Sequence, residues 1–194
     1  MNRRALRVQD AEAYLLHSSP WRETSLLVQA FAREHGVVSL AARGAKRPYS
    51  VLRPVLSAFQ PLAISWSGAG EVKTLTRAEC AGVRRLSGRA HMSAWYMNEL
   101  LLRLLPREDP HPVLFDAYDA ALRQLASQQP AASALRRFEW TLLHETGYGM
   151  ESDSPDFDDA ALEPQLRRRL RERLDELLGR PLQTRKVLME LQRY

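Results

Sequence analysis

One cysteine, Cys80, is present among 194 residues. A lone thiol allows no internal disulfide and, with no CxxC pair, no thiolate-rich zinc site. No His stands near Cys80 in sequence and free cysteines favour the interior, so it is expected to be a small buried residue. No apolar run approaches the ~20 residues that span a bilayer. The N-terminal "MNRRALRVQDAEAY" carries charge but no apolar stretch of the signal-peptide kind, so no membrane association and a cytoplasmic location are expected. The histidines at 17, 35, 91, 111 and 144 show neither HxxxH nor HxH spacing, and no metal site is expected. Gly68 and Gly70 precede the strand-like "EVKT" rather than a helix, which removes the context of a P-loop or dinucleotide fingerprint. There is no GxSxG, and the acids at 151–159 read as a solvated charge run rather than a paired-carboxylate site. Nothing in the residues argues for catalysis or for a cofactor.

What is present is a core-forming 45% of hydrophobic residues and a formal net charge of +5. The charge is unevenly spread. Residues 1–82 hold 11 Lys and Arg against 6 Asp and Glu, whereas residues 83–194 hold 17 of each. Such asymmetry suggests a first half that meets a polyanion and a second half with another task, and it predicts two domains, 1–82 and 83–194.

The two halves differ in period as well. From Ala11 to Cys80, short segments rich in Val, Leu, Thr, Phe and Trp alternate with turn residues, predicting five strands near 11–19, 24–33, 36–43, 58–67 and 71–79. Glu34-His35-Gly36 and Gly68-Ala69-Gly70 are the hairpin signals. In the third strand Val38, Leu40 and Ala42 alternate with Val37, Ser39 and Ala41, so Arg43 should leave on the wetter face. In the fifth, strict alternation puts Lys73 and Arg77 on one face, about 13 Å apart at ~3.3 Å per residue. Five short strands with one long connection suit a small closed barrel of the OB type. After Gly82 the apolar residues recur at three- and four-residue steps. Met92 to Leu105 runs up to Pro106, Val113 to Leu125 follows, a third helix starts at Pro130 and ends at Gly147, a fourth runs from Pro164 to Gly179, and a short fifth covers 183–192. The fold class is therefore α+β, a five-stranded OB-type barrel followed by a helical bundle, with an acidic loop at 150–162 that is expected to be flexible.

Two basic segments compete for attention. In "RRRLRER", the cations Arg167, Arg168, Arg169, Arg171 and Arg173 stand among Glu163, Glu172, Asp175 and Glu176, with Glu163–Arg167, Arg168–Glu172 and Arg171–Asp175 at the four-residue pairing distance. A solvated amphipathic face is expected there. In "RGAKRPYSVLRP", by contrast, Arg43, Lys46, Arg47 and Arg53 have no acidic neighbour. This segment reads either as an ordinary basic loop or as a nucleic-acid contact in which cations bond phosphates and Tyr49, with Trp21 or Trp66 nearby, stacks on bases.

The runs "YLLHSSPWRETSLLVQAFAREHGVVSLAARGAKRP" and "LRPVLSAFQPLAISWSGAGEVKTLTRAE", with Glu34-His35-Gly36, Arg43-Gly44-Ala45 and Phe59-Gln60-Pro61-Leu62 within them, resemble the N-terminal domain of the RecO family of bacterial DNA repair and recombination proteins. "YMNELLLRLLP", "ALRRFEWTLLHETGYG" and "LLGRPLQTRKVLMEL" are similar to the helical part of the same family. The resemblance implies an OB fold that binds single- and double-stranded DNA, strand annealing, and RecR-assisted loading of RecA onto strands coated by single-stranded DNA-binding protein (SSB). It implies a location with the nucleoid and no enzymatic activity. Arg43, Lys46, Arg47, Arg53, Lys73 and Arg77 become the expected DNA contacts. It implies also that the helical half docks the acidic, Phe-ended C-terminal tail of SSB, with Arg136 and Arg137 of "ALRRFE" as its candidate contacts; exposed helix cations near Glu139 are the other reading of that pair. Many relatives carry a longer stretch after "GYG", some with a four-cysteine zinc motif, where this sequence has only the acidic loop and the Arg-rich helix. Asp153-Ser154-Pro155-Asp156-Phe157-Asp158-Asp159 resembles an acidic tail with Pro and Phe reshuffled, and as a hypothesis it occupies the chain's own tail site. The alternatives from other classes are a protein-interaction adaptor built on an OB fold and an RNA-binding protein.

Overall fold

The computed structural model describes residues 7–127, 131–150, 153–185 and 187. They form two compact units, Met1–Arg84 with Pro106–His111, and Arg85–Leu105 with Pro112–Tyr194. The first unit is a closed barrel of β1 (Arg7–Trp21), β2 (Ser25–Ala32), β3 (Gly36–Ala42), β4 (Pro61–Ser67) and β5 (Val72–Cys80). The order around the barrel is β1-β2-β3-β5-β4, antiparallel except for the parallel β3–β5 pair, which is an OB-type topology. The alternate residues Val38, Leu40 and Ala42 of β3 point inward with Leu15, Val28, Ile64 and Trp66. Its other face, Val37, Ser39 and Ala41, is buried too, so β3 has no wet side until Arg43. β1 runs longer than its periodicity predicts because register shifts between Val8 and Ala11 and between Leu15 and His17 interrupt the two-residue alternation.

A further register shift, facing Ser65/Trp66, has a larger consequence. Trp66 pairs with Leu75 but Ser65 pairs with Arg77, so β5 holds an extra residue at Thr76. Lys73 and Leu75 point in, the bulge resets the phase, and Ala78 rather than Arg77 faces the core. The expectation that Lys73 and Arg77 share a face is thereby corrected.

Pro106–His111 joins the barrel although it follows the first helix in sequence. Arg107 bridges Val37, and the Glu108 N–H donates to the Val37 carbonyl at 3.1 Å. Gly36 makes this approach possible. It turns with φ +67°, and a Cβ there would lie 2.1 Å from the Asp109 carbonyl oxygen.

In the second unit, α1 (Arg89–Leu104), α2 (Pro112–Ala126), α3 (Ala131–Glu145) and α4 (Glu163–Leu178) pack together. The expected starting Pro130 lies outside the described residues, as do parts of the 150–162 loop and of the 183–192 helix; residues 183–185 and 187 are helical. Leu100, Leu114, Leu122, Phe138, Leu142, Leu170 and Leu174 form the buried stripes, each such side chain contributing about 1.5–3 kcal/mol of transfer free energy. Within this core the Tyr118 hydroxyl donates to Asn98 Oδ1 at 2.5 Å.

Cys80 is exposed rather than buried, its Sγ–H reaching the Gly82 carbonyl oxygen. It is the last residue of β5, paired with Leu62 at the end of the strand.

Candidate nucleic-acid interface

The connection between β3 and β4 begins with Gly44, whose φ of +69° reverses the chain and whose N–H reaches Ser25 Oγ at 3.4 Å. From there the chain coils through consecutive turns, with Arg47 N–H donating to Gly44 O (3.0 Å), Ser50 to Arg47 (3.1 Å) and Arg53 to Ser50 (3.3 Å). Two pegs hold this coil to the barrel. Ala45 is fully buried in the barrel core, and Leu52, Val55 and Leu56 pack partly buried against it. Between the pegs, residues 46–49 and Val51 stand in solvent, as do Arg43 and Arg53. Pro48 and Pro54 keep the segment out of a helix or ladder.

The four cations of this loop, Arg43, Lys46, Arg47 and Arg53, are exposed and have no acidic partner among the described residues. Sequence reasoning missed Arg22. The Lys46 N–H donates to the Thr24 carbonyl at 2.9 Å, which seats the loop on the β1–β2 turn and brings exposed Arg22 to its base. Arg22 has φ +55° and lies over the Trp21 ring at 4.5 Å. The adjacent Trp-Arg in a predicted turn was the available signal.

Lys73 and Arg77 do not extend this surface as expected. Lys73 is 4% exposed. Its ammonium donates to Glu108 Oε1 and to the Gly70 carbonyl oxygen, neutralised inside the barrel unit by the segment that returns after α1. A buried ammonium so paired has no charge to offer a phosphate. Arg77 stays in solvent on the outer face, donating to Glu79 Oε1 at 2.7 Å with Asp10 at 3.6 Å. The hydrogen bond and charge of Glu79, then the charge of Asp10, hold its guanidinium still more firmly protonated.

In the helical unit the two neighbouring arginines of α3 separate. Arg136 is buried between Glu139 (2.9 Å) and Glu163 (3.4 Å), and Glu139 also accepts a 2.7 Å hydrogen bond from the Tyr96 hydroxyl. Burial pushes the Glu139 carboxyl up from its ordinary range, against the opposing pull of Arg136. Burial likewise drives the Tyr96 hydroxyl well above its ordinary range, with the Glu139 charge adding to it. Arg136 is thus a structural cation, and its expected exposure to a ligand is corrected. Arg137 is exposed, and part of the acidic loop lies against it: its guanidinium stands 5.2 Å from the Phe157 ring centroid and 3.4 Å from Asp158. Phe157 meets Trp140 edge to face at 6.2 Å. Asp156 and Asp159 accept the N–H groups of Asp158 and Ala161. The described part of the segment expected to be flexible is therefore fastened by the contacts of Phe157 with Trp140 and Arg137, by the Arg137–Asp158 ion pair and by local turns.

On α4 the expected ladder forms only in part. Arg171–Asp175 (3.7 Å) and Arg173–Glu176 (3.1 Å) pair, but Glu163 turns to Arg136. Arg167, Arg168 and Arg169 are exposed, and Glu163–Arg167 and Arg168–Glu172 are not among the ion pairs of the described residues.

Comparison with known families matches residues 6–84 to "Recombination protein O N terminal" and residues 85–156 to "Recombination protein O C terminal". The chain is 57% identical over 148 residues to a protein of Aromatoleum aromaticum named "DNA repair protein RecO", covering 76% of this chain and 62% of that one. It is 53% identical over 146 residues to a protein of the same name from Azoarcus, covering 75% and 60%. A third of that name, from Ralstonia nicotianae, is 53% identical over 148 residues, covering 76% and 54%. The chain thus spans about half to three fifths of the length of these relatives.

Proposed function

From the premise that this chain belongs to the recombination protein O family, we propose that it is a recombination mediator without catalytic chemistry of its own. It binds single- and double-stranded DNA, anneals complementary strands and helps RecA onto strands coated by SSB, in concert with RecR. The observation that carries this reading is the 43–54 loop: four exposed cations with no acid among them, pegged to a closed barrel. Unpaired cations release counterions when they meet phosphates, and two strands so neutralised can approach each other. Arg77 is a secondary contact, because it must first give up Glu79 and Asp10. The helical unit supplies the tether, taking the acidic C-terminal tail of SSB through Arg137 beside Trp140, and Phe157 and Asp158 are an internal occupant of that place.

Annealing of complementary oligomers, bare or coated with SSB, tests the reading. The protein should accelerate annealing of bare strands and of strands coated with intact SSB, and lose most of its effect on strands coated with tail-less SSB. No acceleration of bare strands would remove the annealing function, and equal acceleration with both forms of SSB would remove the tether.

A further inference from the structure

We propose that Tyr49 is a base-stacking platform that gives the 43–54 loop its preference for unpaired strands; the proposal rests on the DNA-binding reading above and assigns one side chain a role within it. Tyr49 is 99% exposed, and Val51, two residues on, is 82% exposed. A tyrosine ring is large enough that folded chains normally cover much of it, and here both faces meet water. The ring is nevertheless held on a firm base. Pro48 fixes φ immediately before it, the Ser50 N–H donates to the Arg47 carbonyl at 3.1 Å, and the coil is fastened at Ala45 on one side and Leu52 on the other. An aromatic displayed on an ordered arc loses little conformational freedom when a ligand covers it.

The other two aromatics that the sequence placed in contention are not equivalent. Trp66 is 1% exposed inside the barrel, with the His35 ring edge-on to it at 5.1 Å. Trp21 is half-buried and one face is capped by its own neighbour Arg22. Tyr49 alone of the three offers an open ring, and it does so among Lys46, Arg47 and Arg53, which would hold the flanking phosphates. Stacking on a base is tolerant of sequence because every base has a π-face, whereas bases in a duplex are already stacked and paired. The ring therefore distinguishes single from double strands, while the cations serve both.

The test measures binding of the full chain, at one fixed salt concentration, to an oligothymidylate, to an abasic oligomer of equal length with the same phosphates, and to a duplex. The wild type should bind the oligothymidylate about 5- to 150-fold more tightly than the abasic strand, the range expected for one stacked base. Tyr49→Ser should close that gap without altering abasic or duplex affinity or the salt dependence of either. Tyr49→Phe should keep the gap. A gap that survives in Tyr49→Ser, or is absent from the wild type, overturns the assignment. Failure to bind all three ligands would overturn the DNA-binding reading, and this one with it.

Discussion

The loop at 43–54 and helix α4 carry similar positive charge in different surroundings. The loop has four cations and no acid within its twelve residues; α4 has five arginines interleaved with Glu163, Glu172, Asp175 and Glu176. Three of the α4 arginines are exposed without an ion pair among the described residues, so direct pairing alone does not separate the two regions. The surrounding field does. At physiological salt, charges interact over a Debye length of about 8 Å, and every α4 arginine has an acid within four residues, no more than about 6 Å along the helix axis. A polyanion approaching α4 meets a near-neutral surface, whereas one approaching the loop meets an uncompensated one. What teaches most is therefore the sign of the neighbours rather than the number of cations.

The largest expected effect lies where a cation is buried rather than displayed. Glu139→Ala leaves Arg136 without its closest carboxylate and Tyr96 without its acceptor, and should lower the stability of the helical unit by about 3–5 kcal/mol. Chemical denaturation followed by the Trp140 signal would measure this. DNA affinity of the folded variant should be unchanged; a loss of affinity at full occupancy of the folded state would break the separation of structural from displayed cations.

Glu99 gives the next effect, with a defined pH dependence. It accepts the N–H groups of Gln183 (2.7 Å) and Thr184 (2.9 Å) and the Thr184 hydroxyl (2.8 Å). Burial opposes the charge, but these bonds and Arg103 outweigh it and hold the carboxyl below its usual range. A depressed folded-state value means stability that is present above the ordinary carboxylate range and is lost as pH falls through the folded value. Glu99→Gln should cost about 1.5–3 kcal/mol at neutral pH, and the difference from wild type should shrink toward pH 3. A difference that stays constant with pH would show that geometry, not charge, matters there.

A smaller change sharpens the loop side. Gly44→Ala meets no close atom, since a Cβ would lie 3.5 Å from Arg47 Cδ, but it must adopt φ +69°. The cost should be about 1–2 kcal/mol, read as a drop in barrel stability. DNA affinity should fall modestly, because the loop loses its base on Ser25 and Thr24. The smallest expected effect is on α4. Arg167, Arg168 and Arg169 together changed to Ala should alter stability by less than about 1 kcal/mol, since exposed charges contribute little singly.

Most of the barrel was legible because its strands are short apolar runs closed by Gly-bearing turns, and the helices because Leu repeats at three and four. Residues whose fate depends on a distant segment were not legible. Lys73 reads as an outward cation beside Arg77; the bulge at Thr76 parts the two, and Glu108, thirty-five residues on, receives the buried ammonium. Arg136 and Arg137 are neighbours with the same chemistry, and only the approach of Tyr96 and Glu163 from other helices decides which is buried. Cys80 was read from a statistical preference for burial, and as the last residue of β5 it is exposed. The 43–54 loop was legible in charge and position, while the pegs that make it an ordered display, Ala45 and Leu52, depend on the closed barrel.

The loop's cations are available whereas those of α4 are compensated, and charge-matched triples compare the two regions directly. Salt titration of single-stranded DNA binding would be run on the wild type, on Arg43→Ala/Lys46→Ala/Arg47→Ala, and on Arg167→Ala/Arg168→Ala/Arg169→Ala. At ~0.7 per phosphate contact, the loop triple should flatten the slope of log K against log salt by about 2, and at ~0.1 M salt weaken binding about 100-fold. The α4 triple should leave the slope at its wild-type value. Equal flattening by both triples, or an unchanged slope in the loop triple, would contradict the account.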